Sequence, residues 1–291
     1  MTTRIIDAHN HADWLGHNFD ATLANMDAHG IDATWLLTWE APTDECDPVY
    51  ARSCPGWNAS GPLPLATALA YARQAPDRFV LGYAPDPRRP NALDRLRGAI
   101  EIWGVRIYGE LKLRMMYDNP DAIEMYRFCG EQGLPVVVHL DYAFDRGTRY
   151  PRPNYWYGGG IQAFERAVAA CPETVFLGHG PGFWAHISKD ELYDKEPYPK
   201  GPVAPGGDVE RMLDTYPNLW CDLSAGSALG AISRDRAYGR AFLLRYADRV
   251  LFARDCFDGH LAAYLEELTL PDGVREAIYH RNAERLVPLA R

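Results

Sequence analysis

Close to the start of the chain, Asp7-Ala8-His9-Asn10-His11 sets two imidazoles two positions apart. On an extended segment alternate side chains share a face, so His9 and His11 can hold one cation between them. A lone His-x-His pair is also common on protein surfaces, and the later sequence decides what this one is for. His139 ends the apolar run Pro135-Val136-Val137-Val138, His179 ends Val175-Phe176-Leu177-Gly178, and Asp255 follows Val250-Leu251-Phe252-Ala253-Arg254. A lone histidine after an apolar strand is more often a hydrogen-bonded core residue. Brought to one place, they are the usual ligands of zinc, or of a first-row neighbour such as manganese, with a position open to water. Such an ion lowers the pKa of bound water toward ~7 and polarises a scissile bond. Asp255 is then the candidate to take the proton. The chemistry expected is hydrolysis of a small-molecule substrate.

Convergence needs an architecture that brings distant strand ends together. Short β-rich apolar runs alternate with segments of helical period along the whole chain, which is the pattern of parallel βαβ units. The candidate strands are Arg4 to His9, Ala33 to Thr38, Phe79 to Ala84, Val105 to Leu111, Pro135 to His139, Val175 to His179, Leu219 to Asp222 and Val250 to Ala253. The candidate helices are Asp20 to His29, Leu63 to Ala75, Asn91 to Trp103, Pro120 to Gln132, Ile161 to Cys171, Val209 to Tyr216, Asp235 to Tyr246 and Leu261 to Leu268, with a last one near Asp272 to Arg281. Eight strands each followed by a helix predict an α/β fold of the (β/α)8 TIM-barrel type; an open doubly wound sheet has similar content. No linker or internal repeat interrupts residues 1–291, so a single domain is expected. Three long connections, Trp39 to Pro62, Asp141 to Gly160 and Gly180 to Asp208, all follow strands and would stand on the C-terminal rim, where barrels build their sites. The middle one carries Tyr142, Phe144, Arg146, Arg149, Tyr150, Arg152, Tyr155, Trp156 and Tyr157. That composition suits a cover over a planar or anionic ligand, or equally a loop packed on its own aromatics.

Composition narrows the partners. Hydrophobic residues are 47% and charged residues 24% of the 291, the balance of a globular enzyme. The net charge is −9 with no basic run, so nucleic acid is not an expected partner. The first residues lack the apolar stretch of a signal peptide, and no segment approaches the roughly 18 apolar residues of a membrane span, so a cytoplasmic protein without a membrane partner is expected. Cys46, Cys54, Cys129, Cys171, Cys221 and Cys256 are scattered without a CxxC pair and read as reduced structural residues.

Asp7 to His11, Leu134 to His139, Gly178-His179-Gly180 and Phe252 to Asp255 together resemble the amidohydrolase superfamily, in the branch related to aminocarboxymuconate-semialdehyde decarboxylase. Gly109-Glu110-Leu111-Lys112, Gly180 to Trp184, Pro199 to Pro202 and Asp222 to Ser227 resemble a subgroup known mainly as predicted hydrolases. One departure is Ala253-Arg254-Asp255, where the superfamily usually has small residues before the aspartate; by strand alternation Arg254 should point away from the metal. The resemblance implies a metal-dependent barrel and, in many members, a bridging ligand from strand four. Glu110 resembles the bridging glutamate of two-metal hydrolases. Lys112, two residues on and on the same face, is a candidate carboxylated bridge, a partner of Glu110, or a site for an anionic substrate group.

Two layouts follow. With one metal, His9, His11, His139 and Asp255 bind it, and His179 is free as general acid or base. With two, Glu110 bridges, His139 and His179 hold the second ion, and Asp255 alone handles protons. The main expectation is a hydrolase of amides, esters or lactones. The alternative is a non-oxidative decarboxylase of an aromatic or unsaturated carboxylic acid, as several relatives in this branch are. A non-catalytic binding barrel would show a degraded ligand set, and this set is intact. Asp222 and Ser224 could bind substrate or a nearby water, or serve in capping the next helix. His17 and His186 lie on rim loops, Arg106, Arg114, Arg149 and Arg152 are expected near the rim and could bind a carboxylate, and Asp44, Glu45 and Asp47 form an acidic loop. Relatives in this branch are often dimers or tetramers, so the resemblance allows a homo-oligomer.

Overall fold

The computed structural model of the protein describes residues 4–46, 48–141 and 158–289. The strands occur where the apolar runs place them: β1 (Ile6–Asn10), β2 (Ala33–Leu36), β3 (Phe79–Leu81), β4 (Tyr108–Leu111), β5 (Val136–His139), β6 (Phe176–His179), β7 (Leu219–Asp222) and β8 (Val250–Leu251). Ladders join β1-β2-β3 and β4-β5-β6-β7-β8, every pairing parallel. Backbone hydrogen bonds close both gaps. Tyr83 N–H donates to Ile107 O (2.9 Å) and Arg106 N–H to Leu81 O (3.0 Å), while Ala8 N–H donates to Phe252 O (3.0 Å) and Asp255 N–H to His9 O (2.8 Å). The sheet is therefore a closed (β/α)8 barrel, and the open alternative is set aside.

The barrel is filled by alternate residues, among them Ile6, Trp35, Ile107, Val137, Leu177 and Leu251, in one buried cluster. Counting by twos from Val137, Leu177, Trp220 and Ala253 puts His139, His179, Asp222 and Asp255 on the same inner face at the C-terminal ends. His9 and Glu110 do not fit that count, since Ala8 and Ile107 already face inward. The pairing register is irregular between Asp7 and Asn10 and again between Tyr108 and Leu111. Such irregularities re-aim side chains, and these two turn His9 and Glu110 into the barrel. Beside Glu110, a Cβ on Gly109 would come within 2.8 Å of Val137 Cβ, so glycine is what lets β4 lie against β5 there.

The helices are α1 (Phe19–Ala28), α2 (Leu65–Gln74), α3 (Ala92–Trp103), α4 (Pro120–Gln132), α5 (Gly160–Ala170), α6 (Pro181–Trp184), α7 (Asp208–Thr215), α8 (Ala225–Ser233), α9 (Arg236–Arg245), α10 (His260–Glu267), α11 (Asp272–Glu276) and α12 (Asn282–Leu286), with a π-helical turn Ala277–Arg281 before the last. The expected final helix is thus broken into consecutive pieces. α6 and α8 were not expected: α8 is Ala-Gly-Ser-Ala-Leu-Gly-Ala-Ile-Ser, whose glycines lower helix propensity, and packing of Ala228, Ala231 and Ile232 holds it. The aromatic and arginine-rich stretch 142–157, including Arg149 and Arg152, and Asp47 lie outside the described residues. Among the described residues, no helix is long and apolar enough to cross a membrane.

Candidate metal centre

His9, His11, Glu110, His139, His179 and Asp255 meet at the C-terminal mouth of the barrel. Two groups of donor atoms lie mutually within 4.8 Å: His9, Glu110 and His179, and His9, His11 and Asp255. Glu110 Oε2 is 3.5 Å from His11 Nε2, Glu110 Oε1 is 3.5 Å from His179 Nε2, and Asp255 Oδ1 is 3.3 Å from His11 Nε2. His139 is near but differently engaged, its Nδ1 bonded to Glu110 Oε1 at 2.7 Å. In this structure His179, rather than the His139 of the one-metal expectation, shares a donor group with His9.

The rings are held from behind. Asp222 is fully buried and accepts from His9 Nδ1 at 2.8 Å and from His179 Nδ1 at 3.2 Å. His11 Nδ1 donates to the Leu37 carbonyl at 2.9 Å. Each bond leaves the opposite ring nitrogen, Nε2, facing the centre. Ser224 occupies the N-cap position of α8 but makes no side-chain cap bond; its Oγ instead lies 2.7 Å from His179 Nδ1 and donates to Asp222 at 2.5 Å. The helix-capping role is therefore replaced by one of orienting a histidine. Asp255 has φ 52°, a left-handed conformation that Asp tolerates, fixed by its N–H on His9 O.

Electrostatics follow from burial and proximity. Burial pushes the Asp222 carboxyl up, but the His179 and His9 rings outweigh it and hold it far below its ordinary value. Burial likewise lowers the pKa of His9, and Asp222 outweighs that to raise it. Glu110 is held low against its burial by His139. His139 is depressed to about 3, by burial and then by the Lys112 charge, so it is neutral at pH 7 and donates to Glu110. Asp255 is lowered despite burial, chiefly by the neighbouring His11 ring.

Other candidates settle elsewhere. Arg254 turns away from the centre, as alternation predicts, and pairs with Asp7 behind it at 2.9 Å. Arg106 is at the opposite end of the barrel, bonded to the Pro288 carbonyl, and so is not a rim residue. Arg114 N–H donates to Glu45, and Glu45 in turn pairs with Arg88, which fixes part of the acidic loop. His17 stacks on Phe257 and His186 on Tyr193. Lys112 lies over the rings of Trp39 and Tyr50 rather than in either donor group.

The donor set fits a divalent cation. Among the described residues, His9 Nε2, His179 Nε2 and Asp255 Oδ1 are buried without a hydrogen-bond partner, an arrangement that costs free energy unless something binds there. To hold an ion, His9 would have to offer a deprotonated Nε2. A closed barrel with such a set at its C-terminal mouth defines an enzyme of the amidohydrolase superfamily. The chain belongs to the amidohydrolase family, whose model matches residues 6–289. No curated protein matches it. Among solved structures it is similar to an uncharacterized TIM-barrel protein, Bb4693, from Bordetella bronchiseptica (18% identity, 98% of each chain covered, TM-score 0.64). It is also similar to a dihydroxybenzoic acid decarboxylase from Polaromonas sp. JS666 with bound manganese and the inhibitor 2-nitroresorcinol (16%, 100% of this chain and 98% of that one, TM-score 0.60). A third is an amidohydrolase from Burkholderia multivorans with bound zinc (16%, 99% and 100%, TM-score 0.62).

Proposed function

We propose that this chain is a divalent-metal-dependent, non-oxidative decarboxylase acting on a small aromatic or unsaturated carboxylic acid. The observation that carries the reading is that both donor groups include His9, whose Nδ1 is taken by Asp222 and which therefore has only Nε2 to offer. One imidazole nitrogen offers one lone pair, so the two groups describe a single ion position, with His9, His11, Glu110, His179 and Asp255 as its holders. A single open ion favours chelation of a carboxylate and its neighbouring oxygen over the bridged arrangement of hydrolysis. Zinc and manganese both suit these donors. Similarity to a dihydroxybenzoic acid decarboxylase supports the same reading.

When bound, the ion supplies positive charge that orients the substrate's oxygens and offsets the charge building on them. The chain supplies the rest. Asp222 and Ser224 fix the His9 and His179 rings, and His139 fixes Glu110. Asp255 is the most exposed of the gathered side chains, at 15% against 9% or less for the others, so it can exchange protons with solvent. It delivers one to the carbon from which the carboxyl departs: the carbon–carbon bond breaks, its electron pair stays on that carbon and takes the proton, and carbon dioxide leaves.

Hydrolysis is the second reading. It is favoured by one feature: the two Glu110 oxygens face different histidines, His11 and His179, as a bridging carboxylate does. Incubating metal-loaded protein with hydroxybenzoic acids, unsaturated acids, esters and lactones separates the two. Carbon dioxide release that falls at least about 100-fold in Asp255→Asn is expected. Ester or lactone opening with no carbon dioxide from any acid would overturn the proposal.

A further inference from the structure

We propose that Trp14, on the connection after β1, is a positioning residue of the metal centre. Its indole N–H holds Asp255 in the backbone conformation that aims the carboxylate at the ion position. This rests on Asp255 being one of the ion's holders.

Asp255 follows β8 and has φ 52°, a conformation that a residue other than glycine keeps where its surroundings impose it. Its N–H donates to the His9 carbonyl at 2.8 Å, and its own carbonyl accepts from Trp14 Nε1–H at 3.0 Å. With both backbone groups tied, no rotation is left to swing the carboxylate away from His11 Nε2, 3.3 Å from Asp255 Oδ1. The next two carbonyls are gripped in the same way, that of Cys256 by Asn10 Nδ2–H at 2.8 Å and that of Phe257 by Asn25 Nδ2–H at 2.7 Å. Successive carbonyls of this connection thus take side-chain N–H groups from β1, from the connection after it and from α1. Among these bonds, the one from Trp14 falls on the residue whose carboxylate faces the centre.

The turn that carries Trp14 is shaped to present it. Asp13, Leu15 and Gly16 have φ of 53°, 49° and 82°. For a bulky residue such as Leu this is a genuine outlier, and strain of that kind persists only where neighbours over-determine it. Here they do: Asp13 N–H donates to the Tyr71 hydroxyl at 3.2 Å, and the hydroxyl donates to the Asp13 carboxylate at 2.7 Å. Leu15 N–H donates to the Ser53 carbonyl at 3.0 Å, and His17 N–H to the Trp14 carbonyl at 2.9 Å. The Leu15 side chain is left 46% exposed while Trp14 is buried, its ring edge to face with His11 at 5.4 Å. A turn that only joined β1 to α1 would have no need to send a leucine into solvent and an indole inward.

The test is zinc affinity, by competition with a chelator, in wild type, Trp14→Phe, Asp255→Asn, the double variant and Tyr264→Phe. Trp14→Phe keeps a ring beside His11 and removes the N–H, and should weaken zinc about tenfold, as loss of a bond that orients a ligand does. Tyr264→Phe removes a bond of similar kind, from its hydroxyl to the Ile232 carbonyl at 2.6 Å, at the far end of α8. A loss of stability alone should leave its zinc affinity at the wild-type value. Asp255→Asn keeps the other holders and has only a neutral oxygen to misplace, so adding Trp14→Phe to it should cost less than about twofold. Wild-type affinity in Trp14→Phe would overturn the proposal. So would a loss matched by Tyr264→Phe, or one that persists undiminished in the double variant, which would put the effect on His11. A loss in Asp255→Asn without one in Trp14→Phe removes Trp14 and leaves the ion position standing; no loss in Asp255→Asn removes both.

Discussion

His9 Nδ1 and Asp222 Oδ2 are 2.8 Å apart, a hydrogen bond between two wholly buried side chains from β1 and β7. It settles which nitrogen of His9 faces the centre, and Asp222 does the same for His179 through its other oxygen. Asp222→Asn keeps the shape but cannot accept from both rings with two full carboxylate oxygens. Metal affinity should fall about 10- to 100-fold, read by titration against a competing chelator, while the fold persists by circular dichroism. Unchanged affinity would remove Asp222 from the account.

Asp7 and Arg254 form a second buried pair, behind the centre. Asp7 accepts from Arg254 Nε and from the Arg254 backbone N–H, each at 2.9 Å, and Arg254 also reaches Asn25 at 2.9 Å. Arg254→Met leaves Asp7 buried and uncompensated, a loss of about 3–5 kcal/mol. Adding Asp7→Asn should recover most of it, since the uncompensated charge is then gone. Urea denaturation of the single and double variants checks this, and a single variant within about 1 kcal/mol of wild type would contradict it.

Helices α8 and α9 are close at Gly239, where an added Cβ would press on the Ile232 carbonyl. Gly239→Ala should therefore destabilise by about 1–3 kcal/mol. Gly98 in α3 has nothing within 4 Å of such a Cβ, so Gly98→Ala should stabilise by about 0.5–1 kcal/mol. Thermal melting of the two variants should move in opposite directions.

Asp208 anchors the end of the rim connection that follows β6. His186 and then Arg211 hold its carboxyl at about 2. Its pKa in the unfolded chain is about 3.9, so the folded value is the lower one. The stability it contributes is full above the unfolded value and is lost as pH falls from about 4 to about 2. With the side chain one-third exposed, the effect is modest. The melting temperature of Asp208→Asn should decline less steeply than that of wild type across that interval; parallel declines would contradict the assignment.

The apolar runs ending in His139, His179 and Asp222 were legible because each strand is buried on both faces and so reads as a continuous hydrophobic stretch. Eight such runs were enough to give the barrel. Asp222 carried the same signal as His179, the last residue of Leu219-Trp220-Cys221-Asp222, yet its carboxylate gave no hint of which rings it would hold; that depends on barrel closure, which leaves only β8 between β7 and β1. His9 and Glu110 depend on register irregularities in β1 and β4, which alternation cannot foresee. α8 was missed because small residues and glycines signal a loop locally, and only packing makes them helical. Arg106, expected near the rim, begins the run that leads into β4, and the start of a barrel strand lies at the end opposite its C-terminal rim.

A single ion position centred on His9 Nε2 is tested most directly by the metal content per chain, by elemental mass spectrometry, of protein saturated with zinc or manganese and freed of excess. One ion per chain in wild type, and none in His9→Ala, is predicted. Two ions per wild-type chain, with one remaining in His9→Ala, would contradict the single-ion account and return the site to the bridged, hydrolytic layout.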